Sequence, residues 1–155
     1  MKNIKKAFTM IELVFVILVL GILSAVAIPK LSASVEDANI AVGISTVSSI
    51  RSAIASERQK SLILGIVAYP AILDDATKDI NDEALFDGNA SIDILQYPIY
   101  SGTESGNWMK TSNNGASITY KYYIGTSKTV VFTYTKADGK FDCNHTESNC
   151  KDLAE

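Results

Sequence analysis

The feature that most constrains this chain is an apolar run from Phe8 to Ile28 in which Glu12 is the one formal charge. About 20 such residues make a helix that crosses a bilayer, and this run is that long. A carboxylate at the centre of a membrane span costs roughly 2.5–3.5 kcal/mol on insertion scales. Glu12 therefore needs a compensating partner. Lys2, Lys5 and Lys6 precede the run and Lys30 follows it. Positive charge ahead of a span favours a cytoplasmic N-terminus, which places everything after Pro29 on the far side. A second reading fits some of the same residues. Lysines, a short apolar core and Ala25-Val26-Ala27 also make a secretory signal peptide, which would release a soluble exported binding domain beginning near Ile28. That reading leaves Glu12 unexplained.

Helical patterning continues beyond the run. From Leu31 to about Leu64 there is no proline, and Gly43 is the one glycine. Ile40, Ile44, Val47, Ile50 and Ile54 recur at helical spacing and predict an apolar stripe against a folded head. Ser45, Ser49, Ser52 and Ser56 share a face nearly opposite. Small side chains let helices approach closely, so this face suits contact with other helices, although a merely solvated face would look the same. One helix from Phe8 to Leu64 would run about 85 Å at 1.5 Å per residue. Within it, Gly21 and Pro29 weaken the helix: proline removes a backbone donor and glycine costs about 1 kcal/mol against alanine. Either a packing kink or a segment that can melt accounts for them.

After Gly65 and Tyr69-Pro70 the pattern changes. The acidic stretch Asp74 to Gly88, with Ala84-Leu85-Phe86 inside it, reads as one or two helical turns in a solvated surface connection. Its carboxylates lack the regular spacing of a calcium loop. Ile118–Ile124 and Thr129–Thr135 are rich in β-branched and aromatic residues, with Gly125-Thr126-Ser127-Lys128 between them at hairpin length. Asn113-Asn114-Gly115 and Ala137-Asp138-Gly139 supply turns. Trp108–Lys110 and Lys140–Asp142 are shorter outer strands. The expected class is α+β: a long N-terminal helix, transmembrane in its first half and amphipathic in its second, packed on a small antiparallel β-sheet head.

Charge and chemistry narrow the function. The chain carries 14 basic and 17 acidic residues, a net charge of −3, and loss of the three leading lysines takes it to −6. An acidic body gives no footing for generic nucleic-acid binding. No nucleophile, phosphate-loop or metal-helix motif is present, so no catalytic residue, metal or cofactor is expected, and an anchored enzyme is the most remote alternative. Cys143 and Cys150 are too few for a zinc site; a small disulfide loop fits an oxidising compartment, with two free thiols as the alternative. His145, inside that loop, is expected to be exposed. Asn89-Ala90-Ser91 and Asn144-His145-Thr146 are glycosylation-type sequons, each with an aspartate two residues earlier, at Asp87 and Asp142.

The residues Lys5-Lys6-Ala7 followed by Phe8-Thr9-Met10-Ile11-Glu12-Leu13-Val14-Phe15-Val16-Ile17 resemble the N-terminal motif of type IV prepilins and type II secretion pseudopilins. The likeness covers about the first 30 residues. It implies a leader peptide of residues 1–7, cut between Ala7 and Phe8 by a prepilin peptidase/methyltransferase that then N-methylates Phe8. Ala7 departs from the glycine usual before the cut. The resemblance further implies a transmembrane half-helix over 8–29, an amphipathic half over 30–64 and an α+β head over 65–155. Glu12 would pair with a neighbouring subunit's terminal amine during assembly. The implied partners are other copies or homologous subunits in a helical filament, an inner-membrane assembly platform and membrane lipid. The implied location is the bacterial inner membrane, single-pass with a periplasmic head, and then an extracellular pilus or a periplasmic pseudopilus. A C-terminal disulfide loop is more like a pilin than a major pseudopilin, which usually carries a calcium loop there; a secretion or DNA-uptake filament is the alternative.

Overall fold

The structure is a computed structural model that describes residues 8–89 and 92–154. The leader residues, Ala7 included, lie outside the described residues. The chain divides into two compact units between Val35 and Glu36, and helix α1 (Met10–Ile63) contributes to both.

In the first unit, α1 is apolar on all sides and none of its most hydrophobic 18-residue window, of mean hydropathy 2.9, is buried. The helix is therefore long and apolar enough to cross a membrane. Pro29 sits inside it. The Ser24 hydroxyl donates to the Leu20 carbonyl at 2.7 Å, which satisfies a polar group without leaving the helix.

In the second unit, α1 buries Gly43, Val47, Ile50, Ile54 and Glu57. This differs from the expected stripe in one place: Ile44 is 44% exposed and Gly43 is inside. The buried row steps by four and three residues, and Ile44 falls about 100° round the helix from Gly43. Gly43 lies under the side chains of Tyr122 and Leu153, so bulk at that point of the core comes from the head. The helix ends in a glycine cap. Gly65, at φ +77°, donates to the Leu62 carbonyl at 3.0 Å, and Ile66 donates to Ser61 at 2.9 Å. This is the paired geometry of a Schellman cap, which needs a left-handed residue.

The head contains a two-stranded ribbon, β1 (Ala84–Leu85) with β2 (Ile99–Tyr100). Its main sheet joins β3 (Trp108–Asn113), β4 (Ser117–Tyr123), β5 (Thr129–Thr135) and β6 (Lys140–Cys143) as an antiparallel meander in chain order. Helix α2 (Ser148–Ala154) closes the chain. Alternation along β4 and β5 points Ile118, Tyr120, Tyr122, Val130, Phe132 and Tyr134 to one face, as the pleat requires. Their register pairs Tyr120 with Phe132 and Tyr122 with Val130. That face packs with Val47, Ile50 and Ile54 into one core, joined by Trp108, Phe86 and Phe141. The α+β architecture is the expected one.

The acidic stretch departs from expectation. It forms no helical turns: it contains β1, and Asp74 within it is buried. Ala84 and Leu85 instead pair with Tyr100 and Ile99 of β2, and Phe86 finds its place among the aromatics of the sheet.

Candidate assembly site

The candidate site begins at the first turn of α1. The Thr9 hydroxyl accepts the Glu12 amide N–H at 3.3 Å, and the Glu12 carboxylate accepts the Thr9 N–H at 3.4 Å. These are long bonds in the reciprocal arrangement of a capping box. Each satisfies a backbone donor that helix geometry leaves unpaired at an N-terminus, and a carboxylate there also meets the positive end of the helix dipole. Glu12 thus has a partner within its own chain. The Thr-x-x-Glu spacing ahead of an apolar run is the signature in the sequence from which this cap can be read. Phe8 is 77% exposed beside it. Further along, Val14, Ile17, Leu18, Ile22 and Ala25 surround Gly21 as a shallow apolar notch, and a Cβ at Gly21 would meet nothing within 4 Å. No contact within the chain demands glycine there. Ser45, Ser49, Ser52 and Ser56 are all exposed, as a free helix face requires.

The C-terminal loop is fixed at both ends. Cys143 and Cys150 form a disulfide. Beside it, the Asp142 carboxylate receives Arg51 of α1 at 3.0 Å, Lys140 at 3.0 Å and His145 at 3.0 Å. Arg51 also donates from Nε to the Phe141 carbonyl at 2.9 Å, tying α1 to β6. Burial raises the Asp142 carboxyl's pKa, but the hydrogen bonds from Lys140, the Cys143 amide and His145 outweigh it and hold the group below its usual range. His145 is exposed, as expected, and faces this cluster.

Of the two sequons, Asn144 is exposed, and its carboxamide oxygen accepts the Thr146 N–H at 3.1 Å and hydroxyl at 2.9 Å. Asn89 is half-buried and closes a short bridge to Ile92; Ala90 and Ser91 lie outside the described residues. Asp142, the acid preceding Asn144, is already committed to Arg51, Lys140 and the His145 ring.

The head also contains a buried charge pair that the sequence did not announce. Lys110 faces the core because it stands opposite Tyr120 in the ladder, just before a bulge between Lys110 and Ser112. Its ammonium donates to Asp74 Oδ1 at 2.8 Å and to the Ala76 carbonyl at 2.8 Å. The Tyr120 hydroxyl donates to Asp74 Oδ2 at 2.7 Å. Burial, with the Asp74 charge beside it, pushes the Tyr120 phenol well above its ordinary pKa. Tyr134 is pushed up to about 12, mainly by burial; its hydroxyl donates to the Pro70 carbonyl at 2.8 Å. Nothing in this network is arranged around a substrate. It fastens the loop after α1 to the sheet.

Among known proteins, the family described as the prokaryotic N-terminal methylation motif matches residues 2–28. A fimbrial protein of Dichelobacter nodosus is 31% identical, across 82% of this chain and 72% of its own length. The chain belongs to the type IV fimbrial family. A type IV major fimbrial protein, FimA, of the same organism is 27% identical over 98% of this chain and 99% of its own length. A second FimA is 30% identical over 83% and 73%. No solved structure matches the chain at a significant level. Fimbrial relatives that align across the head as well as the methylation motif make this a structural subunit rather than an enzyme.

Proposed function

We propose that this fimbrial subunit is stored in the bacterial inner membrane and polymerises with its own copies into a type IV pilus. A peptidase/methyltransferase cuts between Ala7 and Phe8 and methylates the new amine of Phe8, and an inner-membrane platform receives the subunit. The three lysines ahead of the span support a cytoplasmic N-terminus and a periplasmic head, and the Cys143–Cys150 disulfide suits that compartment. Fimbrial relatives favour a pilus over a secretion pseudopilus.

The observation that carries this reading is a fully exposed apolar helix holding one carboxylate at its first turn. In the membrane the capping box offsets part of the cost of Glu12. On assembly, the free amine of a neighbour's Phe8 is a stronger partner, because a charge-assisted bond exceeds a neutral one about twofold. Glu12 would then exchange its own Thr9 amide for that amine and select the correct register. Gly21 and Pro29, which weaken the helix, would let the segment adjust as it leaves lipid.

Two substitutions separate the cap from the charge. Glu12→Gln keeps an acceptor for the Thr9 amide, whereas Glu12→Ala removes both functions. Both variants are expected to retain a folded head and to lose most sheared filament, measured by electron microscopy and quantitative blotting. Wild-type filament yield from Glu12→Gln would refute the charge-pairing role.

A further inference from the structure

We infer that consecutive subunits are joined by a second contact, in which the loop Asp79-Ile80-Asn81-Asp82 of one copy enters a cationic cleft formed by Arg58 and Lys136 of another. This deepens, and rests on, the filament reading above. The cleft encloses about 570 Å³ and is lined by Arg58, Lys136, Tyr69 and the small or apolar residues Val67, Ala68 and Ala71. The Arg58 guanidinium is held 4.7 Å from the centre of the Tyr69 ring. Its Nη1 is buried and finds no acceptor among the described residues. Neither Arg58 nor Lys136 pairs with a carboxylate among the described residues. Asp138, the acid nearest Lys136 in sequence, turns its carboxylate to the Lys140 amide at 3.0 Å. Two cations without a carboxylate partner thus share one apolar-walled cleft on a body whose net charge is −6 after residue 7.

The loop is the chemical complement. Residues 79 to 82 are all exposed and carry two carboxylates around Ile80, itself 47% exposed. Their backbone is pinned: Asp79 donates its N–H to the Lys110 carbonyl at 2.9 Å, Asp82 donates to Ser101 at 2.9 Å, and the Ser101 hydroxyl donates to the Ile80 carbonyl at 2.7 Å. Asp79 and Asp82 both hold left-handed conformations, at φ 60° and 62°. Such conformations are uncommon outside glycine, with aspartate among the more tolerant residues. A pre-shaped knob loses little entropy on docking.

Topology keeps the two features apart within one chain. The knob hangs on the carbonyl of Lys110 in β3, while Lys136 lies in the turn between β5 and β6. The Lys136 N–H donates to the Ala116 carbonyl at 3.1 Å, four residues along from Tyr120, the partner of Lys110, so the two features are offset by about 13 Å along the strands as well as by two strands across. No ion pair joins the two among the described residues of one chain, which leaves the knob of one copy to meet the cleft of another. Two different surfaces in contact form a heterologous interface, which propagates into an open helical filament when its rotation does not close.

Charge substitution in full-length protein expressed in its host tests the pairing. Asp79→Asn with Asp82→Asn keeps residues that tolerate the left-handed backbone, and should cut recovered filament about tenfold, equivalent to about 1.4 kcal/mol per contact. Arg58→Glu with Lys136→Glu should do the same. Circular dichroism melting of each variant separates unfolding from failed docking. Wild-type filament yield from either pair would overturn the contact. If the unaltered chain forms no filament in its host, the pilus reading fails and this contact falls with it; if it assembles and the variants do too, the contact alone is wrong.

Discussion

Lys110→Met would show how the head is held to the end of the long helix. The substitution keeps most of the side-chain volume and removes the ammonium. Asp74, 1% exposed, would then be a buried carboxylate whose remaining donors are the Tyr120 hydroxyl at 2.7 Å and the amides of Ala76 at 3.2 Å and Phe86 at 3.3 Å. Removing one partner of a buried ion pair costs about 3–5 kcal/mol, most of it the stranded charge. The three surviving donors should hold the loss near the lower end. For a unit of this size each kcal/mol lowers Tm by about 4 °C, so a fall of at least roughly 12 °C is expected. Near-ultraviolet circular dichroism is the appropriate assay, because Trp108, Tyr120 and Tyr122 sit in the core and report on its packing. Asp74→Asn, alone and combined with Lys110→Met, completes a cycle whose coupling should fall in the 0.5–3 kcal/mol range typical of contacting groups. A loss below about 1 kcal/mol for Lys110→Met would match a surface pair instead, and would refute the argument that the pair is shielded from water.

Other substitutions test neighbouring parts of the structure. At Gly43 an added Cβ would lie 2.6 Å from Leu153 and 2.7 Å from Tyr122, so Gly43→Ala should cost about 1–3 kcal/mol through overpacking; an unchanged Tm would mean that α2 moves aside freely. Asp142→Asn probes the ion cluster that binds α1 to β6. The Asp142 carboxyl is held below its usual range, so its contribution is complete above about pH 4, the unfolded carboxylate value, and disappears as pH falls through the lower folded value. The variant should therefore be less stable than wild type at pH 7, with the gap closing toward pH 2. A gap independent of pH would assign the loss to packing.

Each part of the molecule was legible to the extent that its cause is local. The span of Phe8 to Ile28 follows from apolar side chains whose burial in lipid needs no partner segment. The strands β4 and β5 follow from alternation of Ile118, Tyr120 and Tyr122 with polar neighbours, because the pleat sends successive residues to opposite faces. Even the capping box was written in Thr9 and Glu12, three residues apart. What depended on contacts between distant segments was not legible. Asp74 looked like one acid among many in a solvated stretch, and only the closing of β3 against β4 brought Lys110 and Tyr120 to it from 36 and 46 residues away. Ile44 obeyed the periodicity of the stripe yet faced outward, because Tyr122 and Leu153 already filled the space over Gly43. The cleft of Arg58 and Lys136 has no sequence signature, since its two cations come from a helix and a hairpin turn that meet only in the folded head. The sequence by itself determined a membrane-length helix, an α+β head and an acidic balance of charge. The tertiary structure decided which charges are paired inside, which are left uncommitted outside, and hence where another subunit can bind.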